Sequence, residues 1–75
     1  MKNITTHKGK LEIIQRLPQS PNGNPRYLVR VDGWTCRTPV DSQIAYHLPN
    51  WDGKEVSAHI GTFRGVAMLS WAEKA

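Results

Sequence analysis

Arg26, Arg30 and Arg37 flank one short reversal in the stretch RYLVRVDGWTCR. A guanidinium pairs in a fork with phosphate or carboxylate and also stacks on planar rings, so several on one face suit an anionic partner. Whether they share a face is a question of register. Asp32-Gly33 between two β-rich runs predicts a two-residue hairpin with a primed turn, which fixes that register. Val31 then faces Trp34, Val29 faces Cys36 and Tyr27 faces Thr38, on an inner, core-forming side. The outer side carries Arg30 opposite Thr35, Leu28 opposite Arg37, and Arg26 near Pro39. The bland reading of this outer side is a solvated face on which Asp32 and Glu55 pair some of the charges. Surface ion pairs contribute only about 0–1 kcal/mol each, so stability alone gives little reason to gather arginines.

Two further groups join these candidates. The stretch SPNGNPRY (20–27) holds two prolines, a glycine and two asparagines. Its prolines limit backbone freedom, which predicts a semi-rigid loop in which Asn24 and Pro25 set the angle at which Arg26 leaves. The stretch GTFRG (61–65) places Phe63 beside Arg64, an aromatic ring and a cation at one tight connection. Phe63 serves equally well as an exposed stacking group or as a plug tucked into the fold. Among the three tryptophans, Trp34 and Trp71 are expected in the core. Trp51, in the turn PNWDG, is expected to be part-exposed and usable as an interface anchor.

Other chemistry has little to stand on. The chain has 75 residues and a single cysteine, Cys36, so no intramolecular disulfide and no all-thiolate zinc site can form within it. His7, His47, His59 and Cys36 lack metal-ligand spacing. There is no glycine-rich phosphate loop followed by Lys-Ser/Thr, no nucleophile has a neighbouring base, and a domain this small holds no sizeable pocket; neither catalysis nor a cofactor is expected. The opening MKNITTHKGK lacks the apolar stretch of a signal peptide, and no window approaches the roughly 20 apolar residues of a membrane span, so a cytoplasmic, non-membrane protein is expected. The net charge of +4 is compatible with a nucleic-acid or acidic partner.

The elements that must hold these residues follow from periodicity. Residues 1–7 read as a flexible lead, and 8–75 as one small domain. KGKLEIIQRLP (8–18) alternates with Leu11, Ile13 and Leu17 on one face, but the Ile13-Ile14 pair breaks the pattern. A long, bent first strand, covered on both sides or re-aimed by a bulge, would do this. VDSQIAYHLP (40–49) reads as a short helix with Asp41 as N-cap, Val40 stapled onto Ala45 and Pro49 as terminator. Its Val40, Ile44 and Leu48 would seal one end of a barrel. Two strands complete the chain. The first has Val56, Ala58 and Ile60 on one face with Ser57 and His59 on the other. The last, VAMLSWAEK, has Ala67, Leu69 and Trp71 on one face with Val66 and Met68 on the other. The order predicts a mainly β, five-stranded small barrel, OB-like with one short helix between strands 3 and 4. An SH3-like barrel is the alternative.

The run NGNPRYLV, followed by DGWTCRT and IAYHL, resembles a pattern in short uncharacterised proteins of bacteriophage genomes, over roughly residues 11–70. The end VAMLSWAEKA departs from it. The resemblance implies a small accessory or host-directed protein and brings with it no assigned activity and no catalytic residues.

Together these features set two expectations. The first is a non-catalytic protein that binds single-stranded nucleic acid through Arg26, Arg30 and Arg37, with Arg64, Phe63, Asn24 and Trp51 around them. The second is a phage-type interaction module that uses the same face, or Trp51 and Phe63, to inhibit or redirect a host protein. A self-associating homodimer, paired through an exposed strand edge, is a further possibility.

Overall fold

A computed structural model of the chain describes residues 2–19, 21, 23–40 and 42–75. Its five strands are β1 (Lys2–Leu17), β2 (Arg26–Val31), β3 (Trp34–Arg37), β4 (Glu55–Phe63) and β5 (Val66–Lys74). They close in a ring in the order β1-β2-β3-β5-β4. All neighbours are antiparallel except β3 and β5, which run parallel and meet through the pair Arg37 and Met68. The protein is therefore mainly β, a small five-stranded barrel with one short helical segment between the third and fourth strands.

β1 holds the ring together. Its first half pairs with β4, from Lys2 opposite Thr62 to Lys10 opposite Glu55. Its second half pairs with β2, from Leu11 opposite Val31 to Leu17 opposite Arg26. Residues 2–7, expected to be a flexible lead, are thus part of the longest strand. Ile4, Thr5 and Thr6 are β-branched and suit a pleated surface, a local signal that the surrounding polar residues outweighed. The Ile13-Ile14 irregularity is a bulge, because the ladder shifts between Ile13 and Gln15. Ile14 is left exposed. Gln15 and Leu17 then share the outer face with Leu28 and Arg26, so Leu17 does not follow Leu11 into the core.

The β2–β3 hairpin has the expected register, Val31 with Trp34, Arg30 with Thr35, Val29 with Cys36 and Leu28 with Arg37. Its tip leans on β1, where a Cβ added at Gly9 would come within 3.1 Å of the Asp32 Cβ, so only glycine lets the two backbones approach this closely. Inside the ring, Leu11, Val29, Val31, Cys36, Val56, Ala58, Ile60, Leu69 and Ala72 form one cluster. Burying each large aliphatic group of this kind stabilises the fold by about 1.5–3 kcal/mol. Thr38 is the buried polar residue of this interior among those described. Its hydroxyl accepts a hydrogen bond from the Tyr27 backbone N–H at 2.9 Å, so the burial leaves no orphaned group.

The segment between β3 and β4 differs in detail from the expected helix. A 3₁₀ turn, η1 (Gln43–Tyr46), is capped by Ser42, whose hydroxyl accepts from the Ile44 N–H at 3.2 Å. A single α turn, α1 (Leu48–Trp51), follows, with Pro49 at its start rather than at a terminus. Proline is tolerated in the first turn because no helical bond is required of its nitrogen there. Ile44, Ala45 and Leu48 are fully buried, as barrel-end residues should be, but Val40 is exposed and does not staple. The expected cap Asp41 lies outside the described residues. Asp52 and Gly53 tie the segment to β1: the Asp52 carboxylate accepts from the Ile13 N–H at 3.0 Å, and the Gly53 N–H donates to the Leu11 carbonyl at 2.8 Å.

Two tryptophans expected in the core are exposed instead. Trp34 occupies the last inner position of its hairpin, next to the turn; it is 54% exposed and its ring rests on His7 at 4.7 Å between centroids. Trp71 is turned outward by a second bulge. The β4–β5 ladder shifts between His59 and Ile60, so that Ile60 faces Leu69 but His59 faces Trp71, and Ser70 is the extra residue. Beyond that point Ala72, not Trp71, points into the core.

Candidate functional site

The outer face of β2 and β3 does carry Arg26, Arg30 and Arg37, but their surroundings differ. Arg30 Nη2 is bound to the Glu12 carboxylate at 3.0 Å. Glu12 is its direct neighbour across the β1–β2 ladder, so this pair takes the place of the expected pairing with Asp32 or Glu55. Arg26 is part-buried and its Nε donates to the Thr38 carbonyl at 3.3 Å, which commits it to the base of the hairpin. Arg37 is exposed and has no ion pair among the described residues.

Arg37 also has the most informative neighbours. It sits in a lateral row of ladder partners, Gln15, Leu28, Arg37, Met68 and Gly61, which crosses the ring from β1 through β2, β3 and β5 to β4. Because Leu69 is buried, Met68 points outward beside Arg37. Along β5, Val66, Met68 and Trp71 then form one outward apolar strip, with Val66 39% and Trp71 45% exposed. Phe63 is the ladder partner of Val66 and is itself 49% exposed, so it is a surface group rather than a plug. Val66 lies about 7 Å from Met68 along the strand, which brings Phe63 into the same surface. Arg64 follows at the turn, its guanidinium carbon 5.2 Å from the Phe63 ring centroid. On the other side of Trp71, His59 shares its face, with Nδ1 3.1 Å from the Thr6 hydroxyl.

The candidate surface is therefore centred on the β3–β5 seam and not on the β2–β3 hairpin alone. Arg37, Arg64 and Phe63 belong to it, and Arg30 and Arg26 flank it through bonds they already make. Asn24 and Trp51 do not belong. The Asn24 side chain bridges two segments, its Nδ2 donating to the Val40 carbonyl at 3.4 Å and its Oδ1 accepting from the Tyr46 hydroxyl at 3.0 Å. It is a strut between the chain just before β2 and the segment after β3. Trp51 is part-buried, packed against the core and stacked on His47 at 5.5 Å, which leaves it little of an anchor's exposure. Alternation puts His59 and Met68 on the outer side, as observed, without marking them as site residues; it misplaces Trp71. The signal was present but faint: treating Ser70 as an extra residue puts both small residues, Ala67 and Ala72, on the inside.

Cys36 lies on the inner side of the seam, and burial pushes its thiol up to about 12. A thiol in this state is a core group and not a nucleophile. Among the described residues no group of three His, Cys, Asp or Glu side chains is placed to hold a metal ion, and no helix is long and apolar enough to cross a membrane. No known protein family, curated protein or solved structure matches the chain.

Proposed function

We propose that this protein is a non-catalytic, cytoplasmic module that binds single-stranded nucleic acid along the β3–β5 seam. The observation that carries this reading is the placement of Arg37 beside the outward-facing strip Val66, Met68 and Trp71, in which Met68 is half-buried, with Phe63 and Arg64 at one end. Unpaired bases stack on aromatic faces whatever their sequence, and guanidinium groups meet the phosphates between them. A duplex offers neither its base faces nor a backbone flexible enough to follow so short a curved surface. The strand order, with a helical segment between β3 and β4, supports an OB-like rather than an SH3-like barrel. OB-type barrels bind oligonucleotides on the face of their second and third strands, between the loops after β1 and after β4, and the seam adjoins that face through β3.

The test is a titration with labelled single-stranded oligonucleotides over a range of salt. The logarithm of affinity should fall linearly with log salt, by about 0.7 for each phosphate met by a cation. Absence of binding at low salt would overturn the reading.

A second reading, a phage-type module that inhibits or redirects a host protein, draws on other apolar groups. Trp34 and Tyr46 are 54% and 55% exposed and lie away from the strip. Such groups anchor protein interfaces. If substitution of Trp34 or Tyr46 abolished capture of one defined host protein while oligonucleotides failed to bind, this second reading would replace the first.

A further inference from the structure

At one end of the seam surface, where the β4–β5 hairpin turns, Lys2, Thr62, Phe63, Arg64 and Gly65 line an open cleft of about 480 Å³. Resting on the nucleic-acid reading above, we propose that this cleft binds a terminal phosphate monoester together with its nucleoside, as found at the end of a nucleic-acid strand or in a free nucleotide.

The cleft is of a size that holds a small ligand, contrary to the expectation that so short a chain holds no sizeable pocket. Its lining has two cations and no carboxylate. Its two sides come from distant parts of the chain, since Lys2 is the ladder partner of Thr62. The Thr62 hydroxyl donates to the Lys2 carbonyl at 3.3 Å, which fixes the start of β1 against the end of β4 and brings the lysine to the cleft. Arg64 is exposed, with its guanidinium carbon 5.2 Å from the Phe63 ring centroid. Aromatic ring and guanidinium plane each offer a stacking face to a base, and the two cations reach the cleft from β1 and from the β4–β5 turn. A monoester carries more charge than a phosphodiester within the strand, so two cations at one point favour an end over an interior position.

The backbone gives independent support. Arg64 has φ of 53°, in the left-handed region, followed by Gly65 at 77°. Asn or Gly is the usual residue at the first position of such a turn, and an arginine there is conformationally disfavoured. The side chain sits there against a local preference, and residues held in such strained backbone conformations cluster at ligand-binding sites.

The experiment compares one oligonucleotide carrying a 5′-phosphate, a 3′-phosphate or hydroxyls at both ends, alongside a nucleoside monophosphate and the corresponding nucleoside. The readouts are affinity and amide chemical shifts of Thr62, Arg64 and Gly65. Expected is a preference of about tenfold for a phosphate-ended strand, or for the monophosphate over its nucleoside, with shifts confined to that hairpin end. The strand arms and the free-nucleotide arms distinguish the two sources. Arg64→Asn suits the turn and so folds; it should remove the preference, as should Lys2→Gln. Equal affinity for phosphate- and hydroxyl-ended strands, with these amides unmoved by the monophosphate, would overturn the cleft while leaving strand binding along the seam standing. If no oligonucleotide binds, the seam reading falls, and the monophosphate against its nucleoside alone decides the cleft.

Discussion

The β2–β3 and β4–β5 hairpins turn in the same way and differ in almost everything else. Both reverse through two residues in the left-handed region, Asp32 and Gly33 at φ 51° and 79°, Arg64 and Gly65 at 53° and 77°. The first keeps an unbroken register, and every inner residue from Tyr27 to Val31 packs inward as alternation requires. The second slips at Ser70 and turns a tryptophan onto the surface. The first turn uses aspartate, a residue that tolerates this backbone. The second uses arginine, which does not favour it. The regular hairpin builds the core; the irregular one carries most of the surface that can meet a ligand. Bulges re-aim side chains, and here both bulges, at Ile14 and Ser70, place a large apolar side chain outside.

Forcing a tryptophan into the core is the most severe way to erase this difference. Ala72 is 1% exposed, so Ala72→Trp would place inside the ring a side chain of the size that the bulge keeps outside. Overpacking of that size should destabilise the fold by about 3 kcal/mol or more. Deleting Ser70 should cost much less, because Leu69, Trp71 and Ala72 would then alternate in, out and in against their present partners. Urea denaturation measures both losses, and a Ser70 deletion as damaging as Ala72→Trp would show that the bulge does more than turn Trp71 outward.

Cys36 tests the structural role of the β2–β3 hairpin. Its thiol is raised from 9.0 to about 12 by burial, so the folded state binds the proton more tightly than the unfolded one. The stability this gives is fully present below pH 9 and declines as pH rises toward 12. Cys36→Val should therefore lose less stability than the parent between those limits in denaturation at stepped pH. Equal losses would place the alkaline sensitivity elsewhere. The native thiol should also resist a thiol-specific reagent until the protein unfolds.

On the binding side, Trp71→Ala should weaken oligonucleotide affinity by about 1–3 kcal/mol, the usual contribution of one stacked base. Trp34→Ala, at a still more exposed tryptophan of the regular hairpin, should leave it unchanged. The reverse result would move the site to the hairpin mouth. A smaller contrast separates the arginines. Arg37→Ala should shallow the salt dependence by about 0.7, one phosphate contact. Arg30→Ala should change it less, because Glu12 already faces that guanidinium at 3.0 Å.

The regular hairpin was readable in advance because a glycine-containing two-residue turn and period-two alternation are both local. The same locality made the barrel class and the helical segment legible. What failed was non-local. Whether residues 2–7 form strand depends on β4, some 55 residues away, and nothing in their own polarity announces it. Trp71 and Trp34 read as core by hydrophobicity, yet one is placed by a bulge and the other by the end of the ring. The candidate surface suffered most, since Arg37 and Met68 become neighbours only through the parallel closure of β3 on β5. The seam has no signature in either strand alone.

The subtlest contrast lies in the two turns themselves. A residue with a Cβ in the left-handed region costs roughly 1–2 kcal/mol, and aspartate or asparagine offsets part of this by local hydrogen bonding. Asp32 already has that advantage, so Asp32→Asn should shift stability by no more than a few tenths of a kcal/mol, whereas Arg64→Asn should stabilise the fold by up to about 1 kcal/mol. Parallel thermal melts of the two variants measure the difference. If Arg64→Asn instead lowered stability, the contact between Arg64 and Phe63 would be contributing more to the fold than the turn costs it. The arginine would then be explained by folding alone, and the case for its retention as a ligand group would lose its energetic support. A gain in stability accompanied by a loss of phosphate preference would show that the second hairpin gives up stability for binding, as the first does not.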